Sequence, residues 1–142
     1  MAVEMTGKYI GNLKTELTHG PSGTVIRTAA PVDNNGDGSS FSPTDLAAAS
    51  LGACMMTLIA IVGERDGIDL TGLSFRLEKH MESNPRRIGS IPVIIQMPAG
   101  LTPEQKRKLE NAAVTCPVHH SLSEGMERSV TFVYADAPVA VG

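Results

Sequence analysis

The sequence predicts a single α+β domain, and three observations support this prediction. Two segments carry strong helix-start signals, each with a proline at the first helical position. Short β-like runs precede, separate and follow these helices, in groups rather than in one-by-one alternation with them. The length of 142 residues suits one domain, 1–142, and leaves little room for two.

The first forty residues are typical of strands and turns. Residues 8–17 (KYIGNLKTEL) and 23–29 (GTVIRTA) are β-like runs, and the HGPSG segment between them predicts a turn. Residues 31–40 (PVDNNGDGSS) concentrate Asp, Asn, Gly and Ser, which predicts a loop. Such a loop can also bind calcium, but the ligand spacing and the closing glutamate of an EF-hand are absent.

Residues 42–67, SPTDLAAASLGACMMTLIAIVGERDG, form the clearest predicted helix. Ser42 can cap it, Pro43 suits the first position, and Asp45 places a negative charge near the N-terminus. The run that follows is apolar nearly all round, which indicates a buried helix rather than an amphipathic surface helix. Gly67 is the predicted terminus.

A β-hairpin is predicted next. Leu73, Phe75 and Leu77 alternate with polar residues, which predicts a strand with one face in solvent. Residues 83–90 (SNPRRIGS) are expected to form the turn, and residues 91–97 (IPVIIQM) the second strand.

The last third repeats the helix-start chemistry. Residues 102–116 predict a second helix, in which Thr102 and Gln105 form a capping box around Pro103. Its expected core face is formed by Leu109, Ala112 and Ala113. The remaining predicted elements are a short helix at 117–125, a strand at 128–136 and a loose tail at 137–142.

Composition and charge exclude several classes of function. The net charge of −3 and the lack of a basic run give no electrostatic reason to bind nucleic acid or anionic lipid. The N-terminus lacks the features of a signal peptide, and the longest apolar-rich segment, 46–62, is short for a membrane span. We therefore expect a cytoplasmic protein. In a reducing cytosol, its two cysteines are expected to be inert or catalytic rather than a structural disulfide.

Cys54 and Cys116 are the leading candidates for chemistry. Cys54 lies mid-helix among small and apolar residues, the usual setting of an inert buried cysteine. Cys116 precedes Pro117 at a helix start, where unsatisfied N–H groups lower the pKa of a thiol. The alternative for Cys116 is a helix cap without chemistry. If the two residues are close in space, the pair suits thiol redox chemistry.

A zinc site is the competing interpretation of the same region. Cys116, His119 and His120 are suitable ligand types, and Cys54 could be the fourth ligand. Adjacent histidines on a helix point about 100° apart, so both rarely reach one metal. No metal or other cofactor is therefore expected.

Two segments resemble the signature segments of the OsmC/Ohr family of thiol-dependent peroxidases. They are SPTDLAAASLGACMMT (42–57) and TCPVHHSL (115–122). The residues that match the family's P-x-[ED]-L-x-x-A-x-x-x-[AG]-C and C-P-V patterns are Pro43, Asp45, Leu46, Ala49, Ala53, Cys54, Cys116, Pro117 and Val118. The order of predicted elements also agrees along nearly the whole chain.

The resemblance implies an OsmC-like fold, with antiparallel sheets wrapped around two long central helices in an intertwined homodimer. It also implies a peroxidase in which the Cys54 thiolate attacks an organic hydroperoxide. Cys116 would then resolve the sulfenic acid through an intramolecular disulfide. The implied partners are an organic hydroperoxide, an external dithiol reductant and a second copy of the chain, without nucleic acid or membrane.

The chain departs from the family pattern near the reactive thiol. Family peroxidases hold the thiolate with an arginine from the N-terminal strands and a glutamate directly after the helix-start proline. Here Thr44 stands at the glutamate position, and the nearest arginine is Arg27. Asp45, one place on, is the candidate supporting residue, with a plain helix-start charge as the alternative. A second hypothesis stays open: a non-catalytic OsmC-like module that binds a hydrophobic or electrophilic ligand at the dimer interface.

Overall fold

The computed structural model describes residues 1–135. The chain divides into two compact units, Met1–Ala47 and a second unit that begins at Ala48. The described residues form eight strands and three α-helices, which confirms the α+β class. The expectation of one domain stays a prediction, and the predicted tail at 137–142 lies outside the described residues.

The first unit contains an antiparallel sheet. Its strands, in spatial order, are β1 (Met5–Gly11), β2 (Lys14–His19) and β3 (Val25–Ala29). The predicted single run at 8–17 is wrong, because a tight turn at Asn12 and Leu13 divides it into two strands. Both turn residues have positive φ, 56° and 59°. Such φ values suit hairpin turns whose twist matches that of the strands, and asparagine adopts them readily.

The loop predicted at 31–40 is confirmed, apart from one 3-10 turn at Val32–Asn34. Its glycine content has a steric cause at Gly36. A Cβ atom at this position would lie 1.8 Å from the carbonyl oxygen of Ala30. Only glycine fits this close backbone approach.

Helix α1 (Pro43–Arg65) begins where the sequence predicts. The hydroxyl of Ser42 accepts a hydrogen bond from the Asp45 N–H at 3.1 Å. The Asp45 carboxylate accepts one from the Ser42 N–H at 2.9 Å. This reciprocal pair is a capping box, which satisfies two N–H groups that the first helical turn leaves free.

The predicted terminus of α1 is also confirmed. Gly67 has φ +69°, in the left-handed region that glycine adopts without steric cost. The N–H of Ile68 then donates to the Gly63 carbonyl at 2.8 Å, and the N–H of Gly67 donates to Glu64 at 3.1 Å. These two bonds form a Schellman motif.

Burial of α1 is one-sided within the chain. The buried residues of the helix are Ala48, Leu51, Gly52, Met55, Ile59 and Gly63. Ala53, Thr57 and Ile61 are exposed. By length and composition α1 could cross a membrane, a test that core helices of soluble proteins also pass, and 33% of its most apolar window is buried. The expected burial all round is therefore not complete in one chain.

The second unit contains a three-stranded sheet of order β4-β7-β8 and a two-stranded sheet of β5 and β6. The strands are β4 (Ser74–Leu77), β5 (His80–Glu82), β6 (Arg87–Ser90), β7 (Val93–Met97) and β8 (Val130–Tyr134). The predicted antiparallel pairing of β4 with β7 is confirmed. The predicted turn at 83–90 is too long, because β6 occupies its second half and pairs with β5.

The expectation of purely antiparallel sheets is wrong for one pair of strands. β7 and β8 run parallel, from Val93 opposite Val130 to Met97 opposite Tyr134. Parallel neighbours need a long crossover connection. Here the crossover contains α2 (Pro103–Val114) and the short α3 (Pro117–Ser121).

The start of α2 follows the predicted capping box. Thr102 accepts from the Gln105 N–H at 3.1 Å, and its own N–H donates to the Gln105 side chain at 2.9 Å. Leu109 and Ala113 are fully buried, whereas Ala112 is only half-buried. α2 thus packs one narrow apolar stripe into the core of the second unit.

α3 is shorter than predicted, and residues 1–135 contain only one long helix. α3 has 5 residues and α2 has 12, against 23 in α1. Leu122 is extended and ends α3, so the predicted helix over 117–125 stops four residues early. The two long central helices implied by the resemblance would therefore need a second chain.

We expect Gly52→Ala to lower the free energy of unfolding by about 1–3 kcal/mol, the usual cost of overpacking a core. A Cβ atom at Gly52 would lie 2.5 Å from the Phe75 ring and 3.0 Å from Leu77. The higher helix propensity of alanine opposes this loss by about 0.5–1 kcal/mol. The measured change is therefore the overpacking cost minus this gain. Urea unfolding followed by circular dichroism measures it.

The matched control is Glu64→Ala on the exposed side of α1. It should change the free energy of unfolding by less than about 0.5 kcal/mol. An unchanged or higher stability of Gly52→Ala would contradict the close packing of α1 on β4.

Candidate functional site

The fold brings Cys54 and Cys116 together. Cys54 belongs to α1, and Cys116 lies between α2 and α3. Both cysteines are free; Cys54 packs against the apolar cluster that contains Cys116, and the Cys54 thiol raises the pKa of the Cys116 thiol. This placement makes the two cysteines a candidate redox pair.

The two thiols differ in their access to solvent. Cys116 is fully buried, in the same cluster as Leu109 and Ala113. Cys54 packs against this cluster but is only half-buried. The expectation that Cys54 is an inert core cysteine therefore does not describe its setting, because its thiol influences the pKa of Cys116 and its side chain is partly accessible.

Cys116 caps α3, as its position before Pro117 predicts. Its sulfur accepts a hydrogen bond from the His119 N–H at 3.2 Å. Burial nevertheless raises the pKa of the Cys116 thiol, and the neighbouring Cys54 thiol raises it further, although the His119 and Val118 N–H groups lower it. The predicted depression of this pKa is wrong, because loss of solvent outweighs the N–H groups of a single helical turn.

His119 is a residue of the site whose environment the sequence does not reveal. Its Nδ1 atom is buried without a hydrogen-bond partner among residues 1–135. Burial lowers the pKa of His119, and the positive charges of Arg128 and His120 lower it further. The C-P-V-H spacing, with a cap followed three residues later by an N–H donor, is the one local signal that points to it.

We expect the pKa of His119 to make stability depend on pH. Because this pKa is lower in the folded protein than in the unfolded chain, the unfolded chain binds the proton first on acidification. The free energy of unfolding should therefore fall as the pH drops from 7.5 to 5, and His119→Gln should fall less steeply. Urea titrations at several pH values measure both slopes.

His120→Gln, the exposed neighbour on the same short helix, is the control for loss of a histidine. Equal slopes for wild type and His119→Gln would show that the half-buried His119 ring does not contribute to acid sensitivity.

The structure does not assemble the four-ligand zinc set. Within residues 1–135, no three histidine, cysteine, aspartate or glutamate side chains are grouped closely enough to hold a metal ion. The rings of His119 and His120 meet edge to face, with centroids 5.7 Å apart and planes at 89°. Of the four proposed zinc ligands, Cys54 and Cys116 are the pair in which one thiol influences the pKa of the other.

The residues near the family's arginine and glutamate positions have structural partners. The Asp45 carboxylate caps α1, and the Thr44 hydroxyl lies 3.2 Å from that of Ser42. Arg27 pairs with Glu16 across β2 and β3 at 3.3 Å. A supporting catalytic role for Asp45 stays a prediction.

Comparisons with known proteins agree with this arrangement. The family model for OsmC-like protein matches residues 36–131. A crystallised protein from Psychrobacter arcticus 273-4, described as an osmotic stress induced and detoxification response protein, is 36% identical. The match covers 91% of this chain and 94% of that chain, with a TM-score of 0.86.

Two more distant structures share the fold. The organic hydroperoxide resistance protein OsmC from Legionella pneumophila is 18% identical, with a TM-score of 0.68 and coverage of 93% of this chain and 96% of that one. An OsmC-like protein of unknown function from Vibrio cholerae is 12% identical, with a TM-score of 0.79 and coverage of 94% and 99%. A search of curated proteins finds no match.

The family model spans the helix start, both cysteines and most of the second unit. The Psychrobacter protein aligns with the chain over nearly its whole length. These two matches together show that the chain belongs to the OsmC-like protein family.

Proposed function

We propose that this protein is a thiol-dependent peroxidase that reduces organic hydroperoxides, with Cys54 as the peroxidatic residue and Cys116 as the resolving residue. The observation that carries the proposal is that Cys54 packs against the cluster that contains Cys116, close enough for its thiol to raise the pKa of the Cys116 thiol. The oxidised peroxidatic cysteine can be restored only if a thiol reacts with its sulfenic acid before further oxidation to sulfinic acid. The organic hydroperoxide resistance protein of the same fold supports the substrate class.

The difference in burial supports the assignment of roles. A peroxide can approach Cys54, which is partly accessible, whereas Cys116 is fully buried. Burial also raises the pKa of the Cys116 thiol, which keeps it protonated and unreactive towards peroxide. Its attack on a sulfenic acid formed at Cys54 then requires loss of the thiol proton.

The proposed reaction balances without a cofactor. The Cys54 thiolate attacks the distal oxygen of the hydroperoxide, the O–O bond breaks, and the alkoxide takes a proton and leaves as alcohol. Cys116, as thiolate, then attacks the Cys54 sulfenic acid, and the hydroxyl leaves as water. An external dithiol supplies two electrons and two protons, which restores both thiols.

The test is thiol mapping by intact mass after one equivalent of cumene hydroperoxide, beside an equal dose of hydrogen peroxide. The expected result is rapid loss of two hydrogens per chain, mapped to a Cys54–Cys116 disulfide and faster with the organic peroxide. Two unmodified cysteines after several minutes would contradict the proposal.

We expect the disulfide-forming step to accelerate with pH. Because the pKa of Cys116 is raised above its usual value, its thiolate fraction grows about tenfold per pH unit around neutrality. After a rapid mix with peroxide, the rate of disulfide closure should follow this slope between pH 7 and 8.5. A pH-independent closure rate would show that deprotonation of Cys116 does not limit it.

The same proposal includes a homodimer of cytoplasmic location. The exposed side of α1 carries Ala53, Thr57 and Ile61, the last with 54% of its surface exposed. In the N-terminal sheet, Met5 and Tyr9 are 66% and 67% exposed. Exposed apolar side chains on α1 and on the N-terminal sheet support the proposal that a second copy of the chain covers one of these surfaces.

A non-catalytic module that binds a hydrophobic or electrophilic ligand is the second candidate function. The observations that favour it are Thr44 at the family's glutamate position and the pairing of Arg27 with Glu16. The thiol-mapping experiment separates the two functions, because a binding module would leave both cysteines reduced.

A further inference from the structure

The loop at residues 31–40 contains a chemically labile side chain. Asn35 is followed by Gly36, and no other asparagine of the chain precedes a glycine. An asparagine deamidates when the next backbone nitrogen attacks its side-chain carbonyl carbon, and a following glycine hinders this attack least. We propose that Asn35 is a site of spontaneous deamidation and that opening of this loop limits its rate. Deamidation here requires neither cysteine and does not depend on the proposed peroxidase.

The reaction balances without an enzyme, an oxidant or a reductant. The Gly36 nitrogen attacks the Asn35 Cγ atom, and the bond from Cγ to the side-chain nitrogen breaks. That nitrogen leaves as ammonia with the proton of the Gly36 N–H. Water then opens the cyclic imide at one of its two carbonyls. The product is aspartate or isoaspartate, and either one adds a negative charge to the loop.

The closed loop restrains the attacking nitrogen. The Gly36 N–H donates a hydrogen bond to the Pro31 carbonyl at 2.9 Å. A Cβ atom at Gly36 would lie 1.8 Å from the Ala30 carbonyl oxygen, so the backbone is closely packed at this point. The Asn35 residue, in contrast, is exposed to solvent. Cyclisation therefore requires the bond between Gly36 and Pro31 to break, whereas the asparagine side chain is accessible throughout.

An ion pair attaches the same loop to the N-terminal sheet. The Nζ atom of Lys14, in β2, lies 3.0 Å from the Asp37 carboxylate. Hydrogen bonds from Ser39 and Lys14 lower the pKa of Asp37 to about 2, so this carboxylate is ionised at neutral pH. An ionised carboxylate resists attack by a backbone nitrogen. Asp37 therefore does not compete with Asn35 in cyclisation, although Gly38 follows it.

The isoaspartate product is expected to keep the loop open. It lengthens the backbone between positions 35 and 36 by one carbon atom. Because Gly36 lies against the Ala30 carbonyl without space for one added carbon, the longer backbone cannot restore this packing. Hydrogen exchange at the Gly36 N–H should therefore be faster in the isoaspartate form than in the unmodified protein.

The experiment is incubation at pH 8.5, with and without urea, followed by peptide mapping that separates aspartate from isoaspartate. We expect conversion at Asn35 before any other asparagine, and at least about fivefold slower in the folded protein, the factor that one net hydrogen bond gives. Lys14→Gln should accelerate conversion of the folded protein about two- to fivefold, as loss of a surface ion pair allows. Lys8→Gln, which removes a different ion pair of the same sheet, should not change the rate.

Asn35→Gly should abolish conversion in this loop and keep its conformation, because glycine readily adopts the φ of 68° found at Asn35. Earlier conversion at another asparagine would overturn the site. Equal rates with and without urea, or an unchanged rate in Lys14→Gln, would overturn the control by loop opening. The comparison with urea uses only wild-type protein, so it remains decisive if a variant does not fold.

Discussion

Cys54→Ser is expected to reduce hydroperoxide turnover to the uncatalysed rate, a loss of at least about 1000-fold by comparison with other enzymes that lose their nucleophile. Serine cannot replace the thiolate, because its hydroxyl stays protonated at neutral pH and is a poor nucleophile. The half-buried setting of Cys54 accommodates the substitution without a new buried polar group in the core. Peroxide consumption with excess dithiol measures the loss.

Cys116→Ser is the informative comparison, because the proposed roles give it a different defect. One equivalent of hydroperoxide should be consumed rapidly, after which turnover should stop with a sulfenic acid at Cys54. Dimedone should trap this acid, and further peroxide should convert it to sulfinic acid. The opposite pattern, with the trapped acid at Cys116 in the Cys54→Ser variant, would reverse the roles, and full activity in both variants would exclude the two-cysteine mechanism.

The helices were predictable from sequence because the residues that begin and end them interact locally. Thr102 with Gln105 forms the expected reciprocal bonds. Ser42 with Asp45 has the same three-residue spacing and forms the same pair of bonds, where only a cap and a helix-start charge were predicted. Gly67 ends α1 through its own backbone conformation. Capping of this kind depends on residue type and spacing, so the sequence carries nearly all the information.

Sheet pairing was less predictable, because strands pair with partners far along the chain. Nothing within residues 128–136 indicates that β8 runs parallel to β7 rather than antiparallel to it. The division of β1 from β2 depends on positive φ at Leu13, a conformation that leucine rarely adopts. The turn at Asn12 was thus the only local signal available.

For the candidate site, too, the features set by neighbouring residues were predictable, and those set by tertiary packing were not. The motifs around Cys54 and Cys116 identify both cysteines, and Pro117 identifies the cap. The predicted lowering of the Cys116 pKa is wrong, because α1, α2 and the strands together bury the thiol. Burial by elements distant in sequence cannot be read from the residues next to Cys116. The burial of the His119 Nδ1 atom could not be predicted, because it too depends on elements distant in sequence.

Ile61→Lys is expected to convert the proposed homodimer into monomers, with dissociation favoured on the order of 100-fold or more. Ile61 is 54% exposed in the single chain and lies on the face of α1 that also carries Ala53 and Thr57. If a second α1 covers this face, a lysine there buries an unpaired charge, which typically costs about 3–5 kcal/mol. Analytical ultracentrifugation at several protein concentrations measures the change in mass.

Asn111→Lys is the matched control, because it adds the same charge at an exposed position of α2. It should leave the mass of the assembly unchanged. A monomeric wild type would contradict the dimer, and a dimeric Ile61→Lys would show that another surface, such as the exposed apolar residues of the N-terminal sheet, forms the interface.

Because Cys54 and Ile61 share α1, the Ile61→Lys monomer also tests whether hydroperoxide reduction by the two cysteines depends on dimer formation. If hydroperoxide reduction falls in step with dimer mass, the second copy completes the site; if it persists in monomers, one chain is sufficient.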